Sequence, residues 1–149
     1  YGQGMNASFE DVTVFDEILN QDLGSWEAVF KTYEKVRKED TDAIADLAID
    51  NFYEMKDHVA NPIFKEKRKL EMELEKTFPN EYFSKYSMVT FNENMSYSDA
   101  MKKGRAQDKA LLNMVADNDL DSVTDLNNLL KKVQKETNEI LEEDKIAGL

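Results

Sequence analysis

Two glycines one residue apart, Gly2 and Gly4, stand directly before the first predicted helix. Glycine lets a backbone approach a ligand closely, and the N–H groups and dipole of a helix N-terminus favour an anionic group there. An ordinary tight turn would use the same two residues. The spacing therefore leaves two interpretations open, a simple turn or a loop that presents its amides to a ligand.

Asn51 lies on a predicted apolar helix face with Leu47, Ala48 and Met55. A buried amide without partners costs on the order of 1–3 kcal/mol, so Asn51 either bonds a neighbouring backbone or contacts a ligand. His58 is the single histidine, and its place at a helix end favours a structural role over that of a general base.

Tyr86 comes directly before the run Ser-Met-Val-Thr-Phe at residues 87–91. Aromatic and β-branched residues of this kind are typical of a strand. An aromatic residue that enters a strand is usually part of a core. By itself, Tyr86 therefore predicts packing, and a ligand contact is the alternative.

Composition excludes several classes of function. The chain has 149 residues, enough for one domain, with 19 basic and 31 acidic residues and a net charge of −12. Such a surface repels phosphate backbones and anionic lipid heads, so neither nucleic acid nor a membrane surface is an expected partner.

The absence of cysteine excludes disulfides and thiolate metal sites, and one histidine cannot build a His-rich metal site. A reducing, cytoplasmic location is expected, and a first residue other than Met suggests a piece of a longer protein.

The elements that position these residues are predicted to be mainly α, with about five to six helices and the one short strand-like segment. Only 5 glycines and 2 prolines interrupt the helical periodicity. The predicted helices run over about residues 6–20, from Ser25 onward, over 41–59, from Pro62 to Phe78, from Ser96 through Val115, and along a last amphipathic stripe from Val123 to Ile140.

Local signals give the helix ends and buried faces. Ser8 with Asp11 resembles a capping box, and Ser25, Asn61 and Ser96 are predicted N-caps. The first helix is predicted to bury one apolar face, and the helix after Asn61 another. These faces comprise Phe9, Val12, Phe15 and Leu19, and then Ile63, Leu70, Leu74 and Phe78.

Three blocks of sequence resemble one family. Residues 2–11 are similar to the segment that follows the second flavin motif in kynurenine 3-monooxygenases, which are FAD-dependent aromatic hydroxylases, although that family usually has glycine at the position of Ser8. Residues 50–59 resemble a block with consensus Tyr-Asn-Tyr-Ile-Glu-Met-Arg-x-His-Val. Tyr86, 35 residues after Asn51, begins a segment similar to Tyr-Thr-Met-Val-Thr-Phe at the family's spacing. The similarity fades after about residue 103.

The resemblance implies roles for particular residues. Gly2, Gly4, Met5 and Asn6 match positions beside the flavin, and Glu54 matches a carboxylate beneath it. Residues implied to lie at the substrate are Gln3, Asn51, Met55 and Tyr86, the asparagine and tyrosine holding the substrate carboxylate. No catalytic side chain and no metal are implied.

The resemblance also implies an architecture and a reaction. Residues 1–24 would end an FAD-binding domain, 25–115 would form a helical substrate-side region, and 116–149 a C-terminal amphipathic helix, within a larger α/β flavoprotein. The parent would use FAD, NADPH and O2 to hydroxylate L-kynurenine, a step of tryptophan catabolism and NAD biosynthesis. The acidic tail implies a bacterial-type enzyme without the hydrophobic anchor of eukaryotic relatives. The upstream FAD-binding portion is absent, so this chain alone is expected to be inactive and to bind no cofactor.

Two alternatives remain at this point. A related flavin hydroxylase could act on another aromatic acid. An acidic helical interaction module without catalytic function would leave the opening loop unexplained.

Overall fold

The computed structural model describes residues 2–58, 61–116 and 125–147. In these ranges the chain forms six α-helices and no strand, which confirms the mainly α prediction. A π-helical turn, Glu54–His58, directly continues the second helix. Residue 59, at the end of a predicted helix, Val123 and the side chain of His58 lie outside the described part. The helices are α1 Gly4–Leu19, α2 Trp26–Tyr53, α3 Pro62–Thr77, α4 Lys85–Phe91, α5 Tyr97–Ala116 and α6 Leu126–Ala147.

Helix α5 lies at the centre and contacts α2, α3, α4 and α6, while α1 packs against α2. One core lies where α3, α5 and α6 meet, and a second lies where α1, α2, α4 and α5 meet. A small third cluster, Ala106, Ala110 and Ile140, lies between α5 and α6. Each large aliphatic side chain buried there contributes about 1.5–3 kcal/mol. The first core includes Leu70, Leu74, Tyr82, Leu111, Leu129 and Val133, and the second includes Ala7, Ala43, Leu47, Met88, Val89 and Ala100.

Three predicted helix starts are confirmed by side-chain caps. The Ser25 hydroxyl accepts a hydrogen bond from the Ala28 N–H at 3.2 Å. The Asn61 side chain accepts one from the N–H of Ile63, and the Ser96 hydroxyl accepts one from the N–H of Asp99 in the first turn of α5. None of the helices in the described ranges is long and apolar enough to cross a membrane.

The predicted strand at residues 86–91 is wrong, because this segment is helix α4. The Ser84 side chain caps it by accepting from the Ser87 N–H. Lys85, Met88 and Val89 are buried at helical spacing. A strand needs a neighbouring strand for its backbone hydrogen bonds, and the described residues supply none, so tertiary packing overrides the β propensity.

The predicted second and third helices are one helix of 28 residues, α2. Neither glycine nor proline occurs between Ser25 and Asn61, so nothing interrupts the backbone ladder. Thr41, predicted near a helix start, lies inside the helix and donates its hydroxyl to the carbonyl of Arg37 at 3.1 Å. A polar residue that caps a helix can also bond backward within one.

The predicted buried face of α1 is largely wrong. Phe9 and Val12 are 66% and 68% exposed, whereas Ala7 and Ile18 are buried. The buried guanidinium of Arg37 on α2 fixes this rotation, because it bonds the carboxylates of Glu10 and Asp11 at 3.2 and 2.9 Å. Leu19 and Ile63 are also exposed, while Phe15 packs edge-on against Tyr33.

The predicted capping box of α1 is also wrong. Gln3 is the N-cap residue, and the Ser8 hydroxyl donates to the carbonyl of Gly4 at 2.9 Å instead of capping. The helix begins two residues earlier than Asn6, so Ser8 lies within its second turn.

Candidate functional site

A cleft of about 630 Å³ opens where the end of α2, the π turn, α3, α4 and α5 meet. Asn51, Met55 and Tyr86, the residues singled out from two separate sequence blocks, all line it. The fold brings them together because α2 and α4 both pack on α5. The predicted cluster therefore exists as one surface.

The side-chain amide of Asn51 is weakly engaged in the cleft. The Asn51 side-chain amide donates to the Met55 sulfur at 3.7 Å, and a thioether is a weak acceptor. Tyr86 is 46% exposed and meets Phe91 edge to face at 6.0 Å between ring centroids. Met55, predicted to lie on a buried face, is 68% exposed. An amide in this setting can exchange its sulfur contact for a ligand carboxylate.

The floor of the cleft carries ionic groups that compensate one another. Lys85 is buried, and its Nζ lies 2.6 Å from Glu54 Oε1 and 2.7 Å from Asp108 Oδ2. Lys67 pairs with Asp108 and lies 3.5 Å from Glu71. Buried charges are tolerated when they are paired in this way.

A third and more exposed cation, Arg68, donates to Glu71 at 2.6 Å. Burial lowers the pKa of Arg68, but the hydrogen bond and the charge of Glu71 raise it overall. The cleft is thus lined by four cations and three carboxylates, namely Lys65, Lys67, Arg68 and Lys85 with Glu54, Glu71 and Asp108. The lining therefore has only a small net positive charge, and the neutral donors of Asn51 and Tyr86 would add hydrogen bonds for an anionic ligand.

The opening loop lies outside this cleft. Gly2 has φ +70°, a conformation that favours glycine, and Gly4 begins α1. Gln3 is buried, and its side-chain oxygen accepts from the Asn6 amide at 2.7 Å. Met5 is exposed. The structure thus keeps the predicted flavin residues together on one turn, while Gln3 is apart from the other predicted substrate residues.

Sequence reasoning missed Lys85, Asp108 and Gly104. A Cβ added to Gly104 would lie 2.4 Å from Lys85 Cγ and 2.7 Å from its Cβ, so the lysine stem crosses α5 at the one residue with no side chain. Two signals were available. Lysine at the first position of a helix opposes the helix dipole, and glycine inside a helix costs about 1 kcal/mol relative to alanine.

Comparison with known proteins shows the family to which the chain belongs. No protein-family model matches it. A kynurenine 3-monooxygenase of Cytophaga hutchinsonii is 38% identical over 134 residues, which cover 89% of this chain and 30% of the relative. The Myxococcus xanthus enzyme of that name is 44% identical over 72% of this chain and 23% of its own length. The kynurenine 3-monooxygenase of Candida albicans is 39% identical over 76% of this chain and 25% of its own length. The chain spans less than a third of the length of these relatives, and with such identity over most of its residues it belongs to the kynurenine 3-monooxygenase family.

Proposed function

We propose that the chain is part of an FAD- and NADPH-dependent monooxygenase that uses O2 to hydroxylate L-kynurenine to 3-hydroxykynurenine. Its own contribution is one wall of the substrate pocket. The observation that carries this proposal is the cleft, in which Asn51 and Tyr86, far apart in sequence, share one surface with Met55. The names of the relatives support the choice of substrate.

The neutral donors of the cleft suit the carboxylate of an amino-acid substrate. The Asn51 amide N–H and the Tyr86 hydroxyl would each donate one hydrogen bond to it, and bonds to a charged acceptor are worth about 1.5–3 kcal/mol. The thioether of Met55 is suited to the aromatic ring of the substrate, since sulfur–aromatic contacts are favourable. Because the buried cations Lys67 and Lys85 are already paired with carboxylates, the charge that balances the substrate carboxylate would come from the exposed Lys65 at the cleft or from a cation outside this chain.

The opening turn fits the flavin by its donor set. Helix α1 begins at Gly4, and the first N–H groups of an α-helix lack intrahelical acceptors. The amides of Met5 and Asn6 belong to this turn, and open space within 4 Å of a Cβ at Gly2 and Gly4 leaves room for close approach. These residues would bond the electron-rich edge of the isoalloxazine ring, assisted by the helix dipole. The bound flavin, reduced by NADPH, would supply the activation of oxygen.

The domain boundaries belong to the same proposal. Residues 1–24 would complete the FAD-binding domain, residues 25–115 would form the substrate side, and residues 116–149 the C-terminal helix. The exposed face of α1, with Phe9 and Val12, supports a packing partner in the missing FAD-binding portion, because large apolar side chains rarely cluster in water. The chain alone would then be inactive, and kynurenine-dependent NADPH oxidation by the 149-residue protein would contradict this. The cysteine-free sequence favours a cytoplasmic location.

The experiment that tests the proposal uses the complete parent enzyme. Asn51→Ala and Tyr86→Phe are each expected to raise the KM for L-kynurenine by roughly 10- to 100-fold, the loss of one charged hydrogen bond. Steady-state NADPH oxidation coupled to product analysis measures this.

Matched controls distinguish the site from general damage. Asn113→Ala removes an exposed amide that bonds Glu136 on α6, and Tyr53→Phe removes an exposed hydroxyl. Both should leave KM unchanged. If the wild-type parent hydroxylates another aromatic acid in preference to L-kynurenine, the proposed substrate is wrong. If the KM for L-kynurenine is unchanged in both Asn51→Ala and Tyr86→Phe, these residues do not bind the substrate.

A further inference from the structure

We infer that Lys85 is a positioning residue that holds the two substrate-facing segments of the cleft in register; this inference rests on the proposed function. Its ammonium group bonds Glu54 at the start of the π turn and Asp108 on α5 at 2.6 and 2.7 Å. Asp50, at the end of α2, lies 4.0 Å away. One cation therefore connects α2, α4 and α5 beneath the cleft.

The location of Lys85 is unfavourable without this connection. It is the first residue of α4, where the helix dipole opposes a cation. Its side chain is only 7% exposed, and removing an ammonium group from water costs several kcal/mol unless partners compensate. A lysine that lay outward at this helix end would avoid the cost of desolvation, so its inward course is explained by the two carboxylates that it reaches.

The segments that Lys85 connects carry the substrate contacts. Tyr86 is the next residue in the chain, and Met55 follows Glu54 in the π turn. The backbone at each contact residue is therefore one bond away from a residue of the ionic bridge. Asn51, one turn before Met55 and in contact with its sulfur, depends on the same segment.

Gly104 makes this course possible. The stem of Lys85 lies so close to α5 that any side chain at Gly104 would meet three of its carbons, at 2.4, 2.7 and 2.9 Å. The lysine crosses the helix there and then reaches Asp108 one turn further along α5. The contact between Lys85 and α5 therefore depends on the absence of a side chain at Gly104 as well as on the ion pairs of the ammonium group.

The test uses the complete parent enzyme with Lys85→Met, which keeps an unbranched apolar stem and removes the charge. The KM for L-kynurenine should rise by roughly tenfold, because a small misplacement of positioning groups costs about that much or more. The kcat should change less than the KM, because the substitution replaces none of the residues proposed to contact the flavin. Asp108→Asn, which weakens the connection of Lys85 to α5 and also the pair of Asp108 with Lys67, should raise the KM in the same direction and serves if Lys85→Met does not fold.

Lys102→Met is the matched control, since Lys102 pairs with Glu39 on the surface; its KM should stay within about twofold of wild type. The inference is overturned if Asp108→Asn and any folded Lys85→Met enzyme retain the KM of this control, or if kcat alone falls. Failure of the proposed function has a different signature, a wild-type parent without kynurenine-dependent NADPH oxidation. In that case Lys85 has no substrate-facing segment to position, and the inference falls with the proposed function.

Discussion

Gly104→Ala tests whether the close packing of Lys85 on α5 outweighs the higher helix propensity of alanine in the stability of the protein. Alanine in place of glycine inside a helix such as α5 is ordinarily stabilising by about 1 kcal/mol. Here the new Cβ would lie 2.4 Å from Lys85 Cγ and 2.7 Å from Lys85 Cβ. The Cβ of Lys85 moves only with the backbone of α4, so rotating the lysine side chain does not remove the overlap.

The magnitude follows from the two ways in which the structure can respond. If α4 shifts, overpacking costs about 1–3 kcal/mol. If Lys85 leaves its place, its buried ion pairs break, which costs about 3–5 kcal/mol for a fully buried pair and less here, because Glu54 is partly exposed and can be rehydrated. After the helix-propensity gain of about 1 kcal/mol, the cheaper route leaves a net loss of roughly 0–2 kcal/mol, or up to about 8 °C in the melting temperature of a chain of this size.

Thermal unfolding of the purified protein, followed by far-ultraviolet circular dichroism, measures this loss. The control is Gly4→Ala, at the other helical glycine of the described residues, where a Cβ meets nothing within 4 Å. In a Lys85→Ala background, the cost of Gly104→Ala should fall, because the Cγ and Cδ contacts are gone. A Gly104→Ala protein as stable as the Gly4→Ala protein would show that α4 is free to move, and the reasoning about the bridge would be refuted.

Two further predictions concern buried polar side chains. Arg37→Met should destabilise the protein by about 1–3 kcal/mol in urea unfolding, because it removes the bond between α2 and Asp11, a carboxylate exposed enough to regain water; an unchanged midpoint would contradict a role in fixing α1. Burial raises the pKa of Tyr82 well above its ordinary value of 10.0, and the charges of Glu71 and Asp108 raise it further. The neutral phenol therefore contributes stability below pH 10 that is lost as the pH rises above it. Tyr82→Phe should lose less stability than wild type between neutral and strongly alkaline pH, and equal losses would show that Tyr82 does not limit alkaline stability.

Short-range patterns predicted the helix starts well and the helix interiors less well. Ser25, Asn61 and Ser96 act as caps because a cap is a bond between neighbours, which the sequence places within three residues of each other. Thr41 has the same local chemistry but lies inside α2. A polar side chain permits a helix start without requiring one, and only an interruption of the backbone ladder would have enforced it.

The strand prediction at residues 86–91 failed for a reason that lies outside the segment. Its aromatic and β-branched residues fit a strand, yet Met88 and Val89 are buried in the core shared with α1, α2 and α5. The helical spacing with Lys85 was present in the sequence but spans only two turns. Over so short a run, tertiary contacts decide between the two periods.

The candidate site shows the same division. The order and spacing of the sequence blocks singled out Asn51, Met55 and Tyr86, and the fold places all three in one cleft. The roles of these residues stay predictions, as do those of Gly2, Gly4, Met5 and Asn6.

What the sequence by itself determined was the helical class, most of the helix starts, the family, and three residues that share a cleft. These follow from local hydrogen bonds, from periodicity and from similarity along the chain. Only the tertiary structure decided the rotation of α1, the helical state of α4 and the bridge from Lys85 to Glu54 and Asp108, 31 residues before it and 23 after it. Charge pairing and close packing across such separations depend on which helices meet, and no local pattern encodes that.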